Sequence, residues 1–203
     1  MADLLSDLNA VLPGLGLTRR DILHAFAGLY PLTARDVHPD VYQGTGDYQV
    51  VDHGYVGGRD GVISVLGAKY TTARRLAERA TSLLCSRLGR GTMPSRTCQT
   101  PLVGGEIDDL DRFTDDAVAR HADHLERTPV EHLVHHYGTE IDAVVETGLA
   151  GDQTLLAPLS SERESVGAEV QFAVEEEMAI KLSDVVFRRT GLGTLGNPGA
   201  ECL

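Results

Sequence analysis

The sequence predicts an α+β protein: a short strand-containing N-terminal part followed by an all-α C-terminal domain. Three observations carry this. Tyr48–Val51 and Val62–Leu66 are short runs rich in β-branched residues, joined through Gly54, Gly57 and Gly58 as in a hairpin. Next comes an amphipathic stretch, about 72–88, whose Leu76, Ala80, Leu83, Leu84 and Leu88 share one face. Beyond about residue 111 the apolar periods are all helical. The change of character divides the chain into 1–94 and 95–203.

The elements follow in order. Leu4, Leu5, Leu8, Val11 and Leu12 recur at helical spacing, and Pro13-Gly14 stops that helix. Thr18 reads as the N-cap of a short helix with Asp21 at the capping-box position. His24–Leu32 reads as extended and Thr33–Gly46 as a loop rich in Pro, Gly and Asp. After the hairpin and its helix, Gly89, Gly91 and Pro94 break the chain and a polar linker follows. Helices are expected over roughly 114–126, 129–137, 140–147 and 167–189. The last rests on Val170, Val174, Met178, Leu182 and Val185, with Gly191 as its stop. The first eighty or so residues should be the less stable part, because two strands need partners to make a sheet.

Composition narrows the function. Lys plus Arg total 18 and Asp plus Glu 30, a formal charge of −12, and aromatics are 5% with no tryptophan. A polyanion is repelled by that field and finds few rings to stack on, so nucleic acid is excluded as a partner. Three cysteines, Cys85, Cys98 and Cys202, form no CxxC pair and fit neither a disulfide framework nor a structural zinc site. That usage, with acids at the N-terminus where a signal peptide carries bases, points to the cytoplasm.

Two motifs are set aside. Gly191-Leu-Gly193-Thr-Leu-Gly196 matches GxGxxG, but a helix precedes it and Asn197-Pro198 follows it. A dinucleotide loop needs a strand before and a helix after, so this is read as a helix cap and tail. His121, His124, His132, His135 and His136 fall within sixteen residues, some at i, i+3 and i, i+4. No cysteine joins them and Pro129 separates two helices, so they are read as a polar helix surface, with no metal expected. Arg188 and Arg189 complement the carbonyl end of their helix, and Asp184 stands four residues before Arg188.

The segment Gly67-Ala68-Lys69-Tyr70-Thr71-Thr72-Ala73-Arg74 carries more chemistry. Small residues permit close backbone approach to a ligand. Thr71 or Thr72 can cap the following helix, and the Lys69 ammonium beside a helix N-terminus suits an anion. An ordinary strand–loop–helix joint with a surface lysine has the same spacing.

Taken in order, these residues resemble the C-terminal portion of the FAD-dependent (aerobic) glycerol-3-phosphate dehydrogenase family. Leu17-Thr-Arg-Arg-Asp21-Ile22 and Ala27-Gly28-Leu29-Tyr30-Pro31-Leu32 are similar to the family's LTREDV and GLRPL segments. Gly67-Ala68-Lys69-Tyr70-Thr71-Thr72-Ala73-Arg74 is similar to its GGKxTTYR. In the helical half, Pro101–Gly105, Leu133–Gly138, Ala168–Val174 and Arg188-Arg189-Thr190 also match, so the likeness spans roughly 4–195.

The resemblance implies that residues around the lysine–threonine motif close over the flavin ring. Gly67, Lys69 and Thr71 are thus candidate FAD contacts, and Lys69 and Tyr30 candidates for the substrate side. In the complete family enzyme, hydride passes from C2 of glycerol 3-phosphate to flavin N5, giving dihydroxyacetone phosphate. The family carries arginines where Tyr30 and Gly46 stand, so a bidentate phosphate clamp is lost at both places. Its N-terminal dinucleotide-binding half has no counterpart here. The expectation is therefore a part of such an oxidoreductase, inactive alone and binding FAD weakly or not at all. Its partner would be the missing FAD-binding half, whether joined to it or supplied as a separate complementary subunit. The resemblance also allows peripheral association with the inner face of a membrane. Two alternatives stand beside it: a non-catalytic helical docking module, and a flavoenzyme acting on a different hydroxy substrate.

Overall fold

The structure is a computed structural model, and it describes residues 2–28, 48–67, 69–91, 94–160, 164–194 and 196. Its elements are α1 (Ala2–Val11), β1 (Gln49–Asp52), β2 (Ile63–Leu66), α2 (Tyr70–Arg87), α3 (Leu110–His121), α4 (Arg127–Tyr137), α5 (Ile141–Ala150), α6 (Gly167–Glu175) and α7 (Leu182–Asp184). A two-stranded antiparallel sheet among helices is the α+β fold the sequence predicts. The chain divides into two compact units, Ala27–Pro101 and Met1–Phe26 with Leu102–Leu203, so α1 groups with the later helices.

In the Ala27–Pro101 unit, Gln49 lies opposite Leu66 and Asp52 opposite Ile63. The tie between hairpin and helix is ionic. Arg87, at the end of α2, grips Asp52 at the end of β1 with two hydrogen bonds, Nε to Oδ2 at 2.5 Å and Nη2 to Oδ1 at 2.7 Å. The Arg87 guanidinium also lies over the Tyr55 ring, 4.5 Å from its centroid. Among the described residues of this unit, Asp52 and Leu76 are the only buried side chains.

The other unit has a true core. Ala117 of α3, Val130, Leu133 and Val134 of α4, Ile141, Val144 and Val145 of α5, and Val166, Ala168 and Phe172 around α6 pack into one cluster. The Tyr137 ring meets Phe172 edge-on at 5.7 Å. Asp109 caps α3, accepting from Arg112 N–H at 3.0 Å. Pro129 falls in the first turn of α4, where its missing N–H costs nothing. The turn after α4 rests on two glycines. Gly138 (φ 57°) and Gly104 (φ 79°) meet backbone to backbone, and Thr139 N–H donates to Gly104 O at 3.1 Å. Any Cβ on Gly138 collides with that carbonyl. Near the N-terminus the capping box forms as expected: Arg20 N–H donates to Thr18 Oγ1 at 3.3 Å and Thr18 N–H to Asp21 Oδ2 at 2.7 Å.

Two expectations change, and a third falls mostly outside the described residues. The expected helix 167–189 is not continuous. α6 stops at Glu175, Met178 takes a left-handed conformation (φ 59°), and Ala179 N–H returns to Ala173 O at 2.9 Å. After α7 the chain makes a π-helical turn, Val185–Arg189. The reason lies in the period: steps of four advance 400° on a helix of 3.6 residues per turn, so such a stripe drifts off one face. Val174, Met178 and Leu182 are accordingly exposed. The histidines are not all surface residues either, because His132 is largely buried and paired with a carboxylate. Finally, His24–Gly28 has no regular structure, and 29–47, which hold the rest of the extended run and the loop, lie outside the described residues.

Candidate functional site

The joint between β2 and α2 is the candidate site. It exists because a four-residue strand ends at Leu66, just before Gly67, and Lys69 (φ −108°, ψ 126°) hands the chain to an 18-residue helix. Gly67 is needed for packing: a Cβ there would lie 2.6 Å from Leu76 Cδ2, the buried leucine of that helix. Lys69 is the N-cap and supplies no side-chain cap, so its ammonium stays exposed at the positive end of the helix. It makes no ion pair among the described residues. Tyr70 and Thr71 are exposed beside it.

The capping expectation needs correction. The helix starts at Tyr70, so Thr71 is already inside the first turn and does not cap it. Thr72 instead donates from Oγ1 back to Lys69 O at 3.2 Å. Further along α2, Arg74 Nη2 donates to Thr100 O at 2.5 Å, Arg75 pairs with Glu78 at 3.1 Å, and Arg79 lies 6.0 Å from the Tyr48 ring centroid. Gly67, Lys69 and Thr71 are thus brought to one corner. Tyr30 and Gly46, like Ala68, lie outside the described residues.

The histidine segment holds a different arrangement. His132 Nε2 lies 3.0 and 3.2 Å from the two carboxylate oxygens of Glu169, which is fully buried. Ser165 Oγ is 3.3 Å from the same nitrogen, and Val166 N–H donates to Glu169 Oε2 at 2.7 Å. Ser165 and Glu169 both meet Nε2, and the carboxylate facing Nδ1, Glu164, stands 3.9 Å away, so no hydrogen-bonded relay runs through the ring as in a nucleophilic triad. His121 Nε2 lies 2.7 Å from Asp142 Oδ1. Sequence reasoning missed the His132–Glu169 pair; its one signal is a lone acid inside the apolar run Val166–Val174. The Tyr137 hydroxyl is buried nearby without a hydrogen-bond partner among the described residues. Burial, then the charges of Glu169 and Glu177, push its ionisation well above the ordinary value.

The Gly191–Gly196 segment follows the π-helical turn, with Gly191 at φ 66° and Gly193 N–H donating to Val186 O at 2.9 Å. A Cβ on Gly193 would meet the Phe187 ring, so that glycine serves packing. No helix of the described residues is long and apolar enough to cross a membrane.

Known proteins resemble this chain over most of its length. The C-terminal domain of alpha-glycerophosphate oxidase matches residues 95–203. A glycerol-3-phosphate dehydrogenase of Synechocystis sp. is 32% identical over 202 residues, covering 96% of this chain and 34% of the relative. A glycerol-3-phosphate dehydrogenase of Pseudomonas aeruginosa is 31% identical over 189 residues, covering 91% of this chain and 35% of the relative. D-erythritol 1-phosphate dehydrogenase of Brucella abortus is 34% identical over 86% of this chain, at 34% of the relative. The solved glycerol-3-phosphate dehydrogenase of Bacillus halodurans complexed with FAD superposes with a TM-score of 0.69 at 26% identity, over 93% of this chain and 35% of that one. The chain therefore spans about a third of the length of the relatives it matches. Its helical half carries the family's domain and its strand-containing half continues the likeness: the chain belongs to the family of the C-terminal domain of alpha-glycerophosphate oxidase, among relatives that are glycerol-3-phosphate dehydrogenases.

Proposed function

We propose that this chain is the C-terminal part of an FAD-dependent, glycerol-3-phosphate dehydrogenase-like oxidoreductase. Residues 1–94 are the trailing part of the FAD/substrate domain and 95–203 the helical C-terminal domain. The observation that supports this most is the β2–α2 joint. There Lys69, without an ion pair among the described residues, stands at the uncapped start of a long helix, within a stretch collinear with glycerol-3-phosphate dehydrogenases.

FAD fits these residues at one edge only. Lys69 and the first turn of α2 suit developing negative charge on a reduced ring, while the sheet of the described residues is antiparallel and offers no parallel βαβ unit to grip a pyrophosphate. When bound, FAD supplies the hydride acceptor. Lys69 holds anionic charge on the ring or on a substrate phosphate, Thr71 offers a hydroxyl beside it, Gly67 keeps the joint closed on Leu76, and Tyr30 lines the substrate side. Catalysis then requires a complementary FAD-binding half, and the chain alone binds FAD weakly or not at all. The substrate is a phosphorylated polyol. A second reading, a hydroxy substrate other than glycerol 3-phosphate, draws on Tyr30 and Gly46 and on the similarity to an erythritol phosphate dehydrogenase. Association is peripheral if a membrane is involved.

The test is complementation. This chain is mixed with the separately produced FAD-binding half of the Synechocystis relative, and flavin reduction by glycerol 3-phosphate and by erythritol phosphates is followed by absorbance. The reading expects reduction with one of them, and a loss of at least about a hundredfold in Lys69→Met, as for removal of one charge-stabilising group. A complex that forms yet leaves the flavin oxidised with both substrates overturns it.

A further inference from the structure

We propose that Asp52 and Arg87 are a positioning pair for Lys69, setting the angle of α2 and so the place of its N-terminus. The importance of Lys69 for binding rests on the reading above; the positioning follows from geometry.

The reason is how little apolar surface the described residues of this unit fully bury. Its described residues bury one apolar side chain, Leu76, which fits under Gly67. Ala80 and Leu83 of the same helix are half-buried beyond it, and a rigid helix held along its middle can still rotate about that middle. A second, specific attachment is needed, and the Asp52–Arg87 pair is the most built of those present. Asp52 is 8% exposed and takes a bidentate grip, with Gly54 N–H donating to its Oδ1 at 3.0 Å. Arg87 also reaches Asp60, 3.5 Å from Oδ1, and covers the Tyr55 ring. The hairpin turn is shaped to this guanidinium: a Cβ on Gly54 would lie 2.6 Å from Arg87 Nη2. His53 Nε2, 2.8 Å from Ser64 Oγ, ties the two strands just behind it.

The lever is quantitative. Leu76 lies seven residues from Lys69 and eleven from Arg87. At 1.5 Å per residue those arms are about 10 Å and about 17 Å. A swing at the Arg87 end therefore carries Lys69 the opposite way by roughly 0.6 of its amplitude. Arg79 over Tyr48 and Arg74 on Thr100 O both attach close to the pivot, where they resist such rotation poorly.

The experiment measures distance within the full chain. Cys85, Cys98 and Cys202 are replaced by Ser, and spin labels are placed at Tyr70→Cys on the helix start and Val56→Cys on the hairpin turn. Pulsed dipolar spectroscopy is then run well below the unfolding midpoint. In Arg87→Met the 56–70 distance distribution should broaden roughly twofold while the far-ultraviolet spectrum is retained, as for a helix released at one end. Arg87→Lys, which keeps the charge without the fork, should fall between. Asp52→Asn replaces Arg87→Met as the deciding variant if the latter unfolds. An unchanged distribution in a folded variant overturns the proposal. A variant that merely melts earlier with an unchanged distribution does so as well. The result is independent of flavin, so failure of the complementation test and failure of this one are told apart.

Discussion

Glu169 sits at zero exposure with both carboxylate oxygens directed at one atom, Nε2 of His132. The pair joins α4 to the start of α6. A buried charge with its partner removed is among the most destabilising states a core can hold, while the pair as a whole contributes little net stability. His132→Leu should therefore cost about 3 kcal/mol in urea unfolding. The double variant His132→Leu/Glu169→Gln keeps an acceptor for Val166 N–H and removes the charge, so it should recover at least half of that loss. A double variant no more stable than the single one would contradict the assignment.

Gly138 makes the tightest backbone approach in the helical unit. Alanine there needs both a positive φ and the space of the Gly104 carbonyl. Gly138→Ala should lose about 2 kcal/mol or more, read by thermal melting, whereas alanine at the unconfined Gly14 should change little.

Met178 is the opposite case: a side-chain-bearing residue in the left-handed region with its side chain in water. Met178→Gly should stabilise by roughly 1 kcal/mol, and Met178→Val should destabilise, because β-branching suits that conformation least. Equal melting temperatures for the two variants would contradict this.

Tyr137 predicts an alkaline limit. The folded phenol ionises above the ordinary 10.0 of the unfolded chain, so its contribution is complete below pH 10 and is lost as pH rises beyond it. Of the six tyrosines, one should gain tyrosinate absorbance only as the helical signal is lost. Tyr137→Phe should abolish that coupled fraction and keep the fold, since the ring's edge-on contact with Phe172 remains.

Asp52 sets an acid limit in the other unit. Its hydrogen bonds from Arg87 hold the folded carboxyl below its ordinary value of 3.8. The contribution is complete above that value and is lost as pH falls through the depressed one. Amide exchange in β1 and β2 should rise at acid pH, relative to the intrinsic rate, before exchange in α4 and α5 does.

Much of this was legible in the sequence because local signals and tertiary demands agree. The hairpin, the helix after it, the Thr18–Asp21 cap and the paired break at Pro13-Gly14 are all encoded by neighbours in the chain. So was the Gly67–Thr71 corner, where a glycine, a cation and a helix start fall within five residues. Two features were not. A stripe repeating every fourth residue from Val170 to Leu182 looks helical, but nothing in it signals that Met178 will adopt a positive φ. Helical spacing likewise says which histidines share a face, not which face is buried. His132 turns inward because Glu169, 37 residues later, is waiting there.

That Asp52 and Leu76 alone are buried among the described residues of the Ala27–Pro101 unit has a consequence for folding. Cooperativity in a small domain arises when many apolar side chains leave their neighbours together, and the one leucine and one aspartate buried among the described residues supply little of it. Heat absorption on unfolding should therefore be that of the helical unit. A protease should cut between β2 and α2 at temperatures where α4 and α5 stay intact. A ligand or partner that closes on the Lys69 corner then tightens a lightly held helix start, and its affinity is reduced by the cost of ordering it.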